Sequence, residues 1–219
     1  MEQAENGMEA HTAPQRVIVA ITGASGVIYG IRALETLALD RSVETHLVLT
    51  AAARATIAQE TDWKVRDVEA LASVVHPSSN IGASIASGSF ETLGMLVAPC
   101  SIKTLSAIAN CYSAELVARA ADVQLKEGRR VVLLVRETPL HAGHLRLMRL
   151  AAENGAVIMP PVPAFYTRPK TLDDLINATV GRALARLGLR NPLCFEWLGM
   201  SNPAAAESEP RTIETEPRP

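Results

Sequence analysis

Short apolar runs alternate with amphipathic stretches along most of the chain. The apolar runs are rich in β-branched residues and predict buried strands at residues 16–22, 44–49, 73–76, 93–98, 130–135 and 156–159. Apolar residues at helical spacing follow these runs and predict helices at residues 26–39, 50–60, 66–72, 101–109, 113–126, 141–153 and 171–187. This alternation predicts an α/β protein with one doubly wound, mostly parallel sheet.

The length and the two chain ends predict one folded domain between two disordered segments. A chain of 219 residues can bury one substantial α/β core, which we place at residues 16–200. Residues 1–15 contain acidic residues and no hydrophobic stretch, so they predict a disordered extension and not a secretory signal. The tail at residues 201–219 is rich in Pro and Glu and predicts disorder as well.

The composition predicts a cytoplasmic protein and argues against two classes of partner. The net charge of −2 does not favour a nucleic-acid surface, and no apolar run is long enough to span a membrane. The cysteines, which form no C-x-x-C pair, are Cys100, Cys111 and Cys194. Their odd number fits a reducing compartment, and we expect all of them in the core.

The segment at residues 16–32 reads as a strand, a turn of small residues and a helix. Such a turn predicts a phosphate cradle, because glycines let backbone N–H groups approach an anion at a helix N-terminus. Gly23, Gly26 and Gly30 do not have the spacing of the dinucleotide fingerprint, so a mononucleotide is the better hypothesis than NAD. A purely structural turn remains the alternative.

A second junction of the same kind follows the strand at residues 93–98. There Ser101 and Thr104 can cap a helix, and their hydroxyls can equally bind a phosphate. In doubly wound sheets the ligand lies beyond the carboxyl ends of the strands. That edge is predicted to carry residues 22–26, 50, 99–104, 136–137 and 160–166.

Several charged and aromatic residues are candidates for a site, each with a structural alternative. Arg119 and Lys126 lie seven residues apart on one helix, where they form either a binding face or a solvated face. Residues 136–137, Arg-Glu, end a buried strand and suit either an ion pair or a site. Tyr166 lies on a proline-rich loop that either orients its hydroxyl or only packs, and Arg182 reads as a surface residue.

Two other candidates concern metal binding and a possible cover for a pocket. His141 and His144 can share a helix face, but no third ligand is evident, so no metal site is predicted. Trp197, near the end of the predicted domain, can cover a pocket or pack in an interface.

Taken together, a series of longer motifs resembles the UbiX/Pad1 family of flavin prenyltransferases over about residues 16–200. The motifs, in order, are TGASGVIYGIR, QETD, ASGSF, APCSIKTLSAIA, RAADVQLKEGRR, LVRETPLHAGHLRLM and MPPVPAFY. The resemblance implies a Rossmann-like flavoprotein fold and a homo-oligomer, usually a dodecamer, with active sites at subunit interfaces. It also implies a reaction that joins the dimethylallyl group of dimethylallyl phosphate to N5 and C6 of reduced FMN. A UbiD-type decarboxylase would receive the prenylated FMN, for ubiquinone biosynthesis or aromatic acid decarboxylation.

The resemblance also implies roles for individual residues. Glu137 would transfer protons, with Glu60 as the weaker candidate, and no metal would be needed beside the basic residues. The residues that would hold FMN are Gly23, Ala24, Ser25, Thr50, Ser101, Ile102, Lys103, Thr104 and Arg136. The residues that would hold dimethylallyl phosphate, some from neighbouring subunits, are Arg119, Lys126, Tyr166, Arg182 and Trp197. Family members often have Ser where this chain has Thr50, and either residue supplies a hydroxyl.

Two alternatives remain open at the level of the sequence. Flavin-dependent cysteine decarboxylases share the implied fold, but they carry PASANT where residues 99–104 here read PCSIKT, with Lys103 in place of the Asn. The chain could instead be a non-catalytic FMN-binding subunit of a decarboxylase. A second set of phosphate-binding residues, Arg119, Lys126, Tyr166 and Arg182, argues against that alternative.

Overall fold

The computed structural model describes residues 15–197 and residue 199. Six parallel strands form one sheet in the order β3-β2-β1-β4-β5-β6, which is the Rossmann order. The strands are β1 (Gln15–Ile21), β2 (Val43–Leu49), β3 (Val74–Pro77), β4 (Gly94–Cys100), β5 (Arg130–Val135) and β6 (Val157–Ile158). The prediction of a doubly wound parallel sheet is therefore confirmed.

Helices connect the strands and cover both faces of the sheet. They are α1 (Val27–Ala38), α2 (Ala51–Glu60), α3 (Val65–Glu69), α4 (Ile102–Ala109), α5 (Leu116–Lys126), α6 (Ala142–Glu153) and α7 (Leu172–Arg186). Among the residues that the structure describes, none of these helices has the length and hydrophobicity to cross a bilayer. The predicted disordered tails lie outside the described residues, except that Gln15 already belongs to β1.

The buried residues form two clusters, one on each face of the sheet. Alternate residues of β1 show the division, since Val17 and Val19 belong to the first cluster and Ile18 and Ala20 to the second, all of them wholly buried. Helices α1, α2, α3 and α7 contribute to the first cluster, and α4, α5 and α6 contribute to the second. Helices α5 and α7 therefore lie on opposite faces of the sheet.

Several element boundaries differ from the prediction, among them the end of the third helix at Glu69 instead of residue 72, the start of α5 and the end of β4. Helix α5 begins at Leu116 and not at residue 113, because its N-cap residue Glu115 is still extended, with φ −125° and ψ 156°; the Leu116 N–H donates to the Ser78 carbonyl at 2.9 Å. Strand β4 continues to Cys100, beyond the predicted end at residue 98. Its register shifts between Val97 and Cys100, and this irregularity accommodates Pro99, which has no N–H to donate.

The prediction that all the cysteines lie in the core is wrong for two of them. Cys100 is wholly buried in β4, and burial raises the pKa of its thiol. Cys111 and Cys194 are exposed free thiols. Cys111 lies in a turn with a φ of 54° just after α4, and Cys194 lies in the segment that follows α7, so neither belongs to the sheet or to a sheet-facing helix layer.

Candidate active site

The turn between β1 and α1 depends on glycine for its close contact with α2. A Cβ atom at Gly23 would lie 2.2 Å from the Cβ atom of Ala52, so any other residue would displace the first turn of α2. Gly26 is the N-cap residue of α1 with a φ of 94°, which favours glycine. Its N–H donates to the Glu60 carboxylate at 2.8 Å. Through this hydrogen bond Glu60, at the end of α2, stabilises the turn between β1 and α1.

A buried threonine joins this turn to the end of β4. The Thr22 hydroxyl donates to the Pro99 carbonyl at 2.7 Å and accepts the N–H of Ser101 at 2.8 Å. The Ser101 hydroxyl in turn accepts the N–H of Thr104 and caps α4. The capping role considered for Ser101 is therefore present in the fold, whether or not a phosphate also binds there.

Three helices begin at this edge of the sheet, next to one another. Thr50 caps α2 by accepting the N–H of Ala53 at 3.1 Å, and its own N–H donates to the Ile21 carbonyl at the end of β1. Helices α1, α2 and α4 consequently start at the carboxyl ends of three adjacent strands, β1, β2 and β4. Each N-terminus carries partial positive charge and free N–H groups, so together they favour an anion such as a phosphate.

Arg136 brings a full positive charge to the same edge. It follows β5, is half-buried, and its N–H donates to the Cys100 carbonyl at 3.1 Å. Burial raises the pKa of the Tyr29 phenol in α1, and the charge of Arg136 opposes part of that rise. Arg136 and Tyr29 are thus electrostatic neighbours. Tyr29 was not among the predicted site residues, and its place in the TGASGVIYGIR motif was the available signal.

A second group of predicted residues surrounds a pocket beside the end of β6. Tyr166 and Arg182 both line it, together with Thr179 of α7. The Tyr166 ring makes an edge contact with Trp197, with the ring centroids 5.6 Å apart. The structure therefore gathers a hydroxyl, a guanidinium and an indole at one place. Cys194, not predicted to belong to a site, also lines this pocket.

The remaining predicted cations lie elsewhere in the single chain. Arg119 pairs with Asp122 at 3.1 Å on α5, on the opposite face of the sheet from α7. Lys126 pairs with Glu127 at the end of the same helix. Lys103 is mostly exposed and pairs with Glu115 at 2.6 Å. One chain therefore does not bring Arg119 or Lys126 to the Tyr166 pocket.

The predicted proton-transfer residue Glu137 is exposed directly after Arg136. Its carboxylate accepts the N–H of Thr138 at 2.9 Å, and within the described residues no ion pair joins it to Arg136. The structural ion pair considered for residues 136–137 is therefore absent from the described chain. An exposed carboxylate beside Arg136 is available to exchange a proton with a ligand.

The two histidines at the start of α6 lie close together without forming a recognisable metal site. His141 caps α6 through its Nδ1 atom, and its ring lies 3.7 Å from that of His144 between centroids. Over residues 15–197 and residue 199, no group of three or more His, Cys, Asp or Glu side chains could hold a metal ion.

The fold and these two groups of residues are those of a class of protein: doubly wound α/β proteins, whose ligands bind beyond the carboxyl ends of the strands. The model of the flavoprotein family matches residues 5–183. Flavin prenyltransferase UbiX of Escherichia coli (strain K12) is 59% identical over 187 residues, which cover 84% of this chain and 99% of that protein. The chain therefore belongs to the flavoprotein family and, within it, to the UbiX/Pad1 flavin prenyltransferases.

Two solved structures share the fold over most of the chain. The first is a dodecameric FMN-dependent UbiX-like decarboxylase from Escherichia coli O157:H7, with a TM-score of 0.82 and 46% identity, covering 84% of this chain and all of that one. The second is AnUbiX (PadA1) in complex with FMN and dimethylallyl pyrophosphate, with a TM-score of 0.81 and 48% identity. It covers 85% of this chain and 98% of the other.

Proposed function

We propose that this chain is a flavin prenyltransferase that joins the dimethylallyl group of dimethylallyl phosphate to N5 and C6 of reduced FMN. The observation that carries this proposal is that the chain contains two separate groups of residues that suit an anion. One is formed by the helix N-termini at β1, β2 and β4, and the other by Tyr166 and Arg182. A protein that only carried FMN would need the first group alone.

The first group suits FMN. We assign the turn at Gly23, Ala24 and Ser25, together with Thr50, to one wall of the flavin site, and Arg136 and the start of α4 (residues 101–104) to the other. The close contact of Gly23 with Ala52 fits a backbone cradle, because it leaves no side chain between the N–H groups and an incoming phosphate. Reduced FMN, when bound, supplies the nucleophile that accepts the prenyl group.

The second group suits the prenyl donor. As the allylic C–O bond breaks, negative charge develops on the departing phosphate, which the Arg182 guanidinium and the Tyr166 hydroxyl can stabilise. The allylic carbon becomes electron-poor, and the Trp197 ring can stabilise it through its π face. We propose these roles because Tyr166 and Arg182 line one pocket and Trp197 contacts the Tyr166 ring. No metal ion is required if the basic residues neutralise the phosphate.

Completion of the reaction requires that N5 and C6 of the flavin each lose a proton as the two new bonds form, and that the alkene CH carbon of the prenyl group gain one as its C=C bond is used up. We propose that Glu137 accepts a proton from the flavin or exchanges one with the phosphate. Its exposure next to Arg136 supports this assignment. Glu60 is the second candidate, and its contact with the Gly26 N–H suggests a part in shaping the flavin turn.

Arg119 and Lys126 would complete the donor site from a neighbouring subunit. The separation of α5 and α7 on opposite faces of the sheet supports this arrangement, since one chain cannot bring both sets of cations together. We propose a homo-oligomer, by analogy with the dodecameric relative from Escherichia coli O157:H7. We also propose a UbiD-type decarboxylase as the recipient of the product and, from the free thiols at Cys100, Cys111 and Cys194, a cytoplasmic location.

The direct test is anaerobic incubation of the purified protein with reduced FMN and dimethylallyl phosphate, followed by mass spectrometry of the extracted flavin. We expect a flavin heavier by one five-carbon prenyl unit. Tyr166→Phe and Arg182→Ala are expected to lose most of this product while FMN still binds. Unchanged FMN with the unmutated, FMN-loaded protein would favour the accessory subunit, and decarboxylation of a cysteine-derived peptide would favour the cysteine decarboxylases.

A further inference from the structure

Arg32 joins the flavin-side helix to the donor-side helix at a position outside both predicted binding groups. It lies in the middle of α1, and only 13% of its side chain is exposed. Its guanidinium makes hydrogen bonds to three acceptors, from Nε to Glu35 of α1 at 2.9 Å, from Nη2 to Asp173 of α7 at 2.9 Å, and from Nη1 to Asn177 of α7. One side chain therefore contacts α7 at two places, one helical turn apart.

These contacts require arginine and not merely a positive charge. A guanidinium is a rigid planar group whose N–H bonds point in fixed directions, whereas the ammonium of lysine has one centre on a flexible chain. A charge with so little exposure is costly unless its hydrogen bonds are satisfied. The positions of the acceptors on α7 are therefore tied to the position of the Arg32 guanidinium. The apolar contacts between α1 and α7 are non-directional by comparison and do not by themselves fix the position of α7 along α1.

Helix α7 carries part of the donor pocket. Thr179 and Arg182, on the two turns that follow Asn177, both line it. Helix α1 begins at Gly26, in the turn assigned to FMN. A shift of α7 along α1 would therefore change the distance between the donor phosphate and the flavin. Small misplacements of reacting groups reduce rates strongly.

We propose that Arg32 is a positioning residue for prenyl transfer, which holds α7 and its Arg182 in register with the flavin-binding turn of α1. This inference rests on the proposed function for the meaning of the pocket. Arg32 acts through α7 and touches neither substrate.

The test compares Arg32→Met and Arg32→Lys with the unmutated protein, using Arg149→Met as the control. Arg149 pairs with Glu153 within α6 and is mostly exposed, so its replacement removes a paired arginine without affecting α7. For Arg32→Met we expect kcat/KM for dimethylallyl phosphate to fall roughly 10- to 100-fold, through a lower kcat together with a higher KM. Arg32→Lys is expected to recover only part of this loss. Arg149→Met is expected to keep the kcat/KM of the unmutated protein. FMN affinity and oligomeric state are expected to remain near those of the unmutated protein.

Hydrogen exchange of the amides at residues 172–186 provides a readout that does not depend on catalysis. In FMN-loaded Arg32→Met we expect faster exchange there and unchanged exchange in α4 and α5. If the unmutated protein transfers no prenyl group, the proposed function fails, and the exchange of α7 still reports whether Arg32 anchors it. A KM and an α7 exchange rate equal to those of Arg149→Met would overturn the inference.

Asn177→Leu keeps the test decisive if Arg32→Met does not fold. It removes one acceptor but leaves the pairs of Arg32 with Glu35 and Asp173 in place. We expect the same rise in KM on a smaller scale. In the double variant with Arg32→Met the effects are expected to be clearly less than additive, because both changes break one contact. Additive effects, or loss of FMN binding together with KM, would contradict a positioning role.

Discussion

The hydroxyl of Thr22 accepts the N–H of Ser101 at 2.8 Å, across the boundary between β1 and β4. These strands are neighbours in the sheet, but their following helices, α1 and α4, pack on opposite faces. A crevice opens at such a point in a doubly wound sheet, and ligands bind there. Thr22 is almost wholly buried and also donates to the Pro99 carbonyl, so it fixes both sides of the crevice.

Replacing Thr22 with Val is expected to weaken this connection with little change of shape. The Ser101 N–H and the Pro99 carbonyl would each lose a hydrogen-bond partner, which typically costs about 1–3 kcal/mol when the group is buried. We therefore expect a lower free energy of unfolding in urea and weaker FMN binding by fluorescence titration. Thr22→Ser keeps the hydroxyl and is expected to retain both properties. Equal stability and FMN affinity in the Val and Ser variants would refute the assigned role.

Gly23→Ala is expected to displace the first turn of α2 from the flavin turn. The added Cβ would lie 2.2 Å from the Cβ atom of Ala52, and overpacking of this kind typically costs about 1–3 kcal/mol. Because the proposed flavin site includes both elements, the FMN dissociation constant is expected to rise about ten-fold or more, which corresponds to at least ~1.4 kcal/mol. Gly82→Ala is the matched control, since its Cβ would have no neighbour nearer than 3.7 Å. An effect of equal size in the control would exclude the steric explanation.

Mixing two inactive variants is expected to restore activity if subunits share the donor site. Arg119→Ala and Arg182→Ala remove cations from opposite faces of the sheet, so a site built from two chains can recover both cations in a mixed oligomer. Random mixing in equal amounts predicts that about a quarter of the sites are complete. The measurement is the yield of prenylated flavin after unfolding and refolding the variants together. Refolding each variant separately and then mixing is the control, and no recovery in the co-refolded sample would place both residues in one chain's site.

The elements near the site could be predicted from the sequence because local chemistry determines them. Ser101 caps the helix for which it was predicted, Thr50 caps α2, and Thr171 forms a capping box with Asp174 at the start of α7. Gly128 follows α5 with a φ of 67°, as expected of a glycine after a helix C-terminus. Each of these signals lies within a few residues of its effect.

Long-range contacts could not be predicted in this way. Arg32 and Asn177 are far apart in sequence and meet because α1 and α7 pack on the same face of the sheet. The position of Arg119 relative to Arg182 likewise depends on which face each helix covers. The individual roles assigned to the site residues remain predictions, because they depend on where FMN and the donor bind.

A buried pair of histidines, one on β2 and one on the neighbouring strand β3, is expected to make the fold sensitive to mild acid. His46 Nδ1 lies 2.9 Å from His76 Nε2, and His46 Nε2 lies 2.7 Å from the Glu44 carboxylate. Glu44 also pairs with Arg16 of β1 at 3.4 Å, and the Phe90 ring packs edge-on against His46. The pair thus lies among one acidic, one basic and one aromatic side chain.

Burial lowers the pKa of His76 below its ordinary value of 6.5, and the neighbouring His46 lowers it further. The unfolded chain therefore takes up this proton at a higher pH than the folded chain. Stability from His76 is complete above about pH 6.5 and is lost as the pH falls towards the folded pKa. We expect the free energy of unfolding, measured in urea between about pH 7.5 and pH 5, to fall less steeply in His76→Gln than in the unmutated protein. An unchanged slope in His76→Gln would show that another group causes the acid sensitivity.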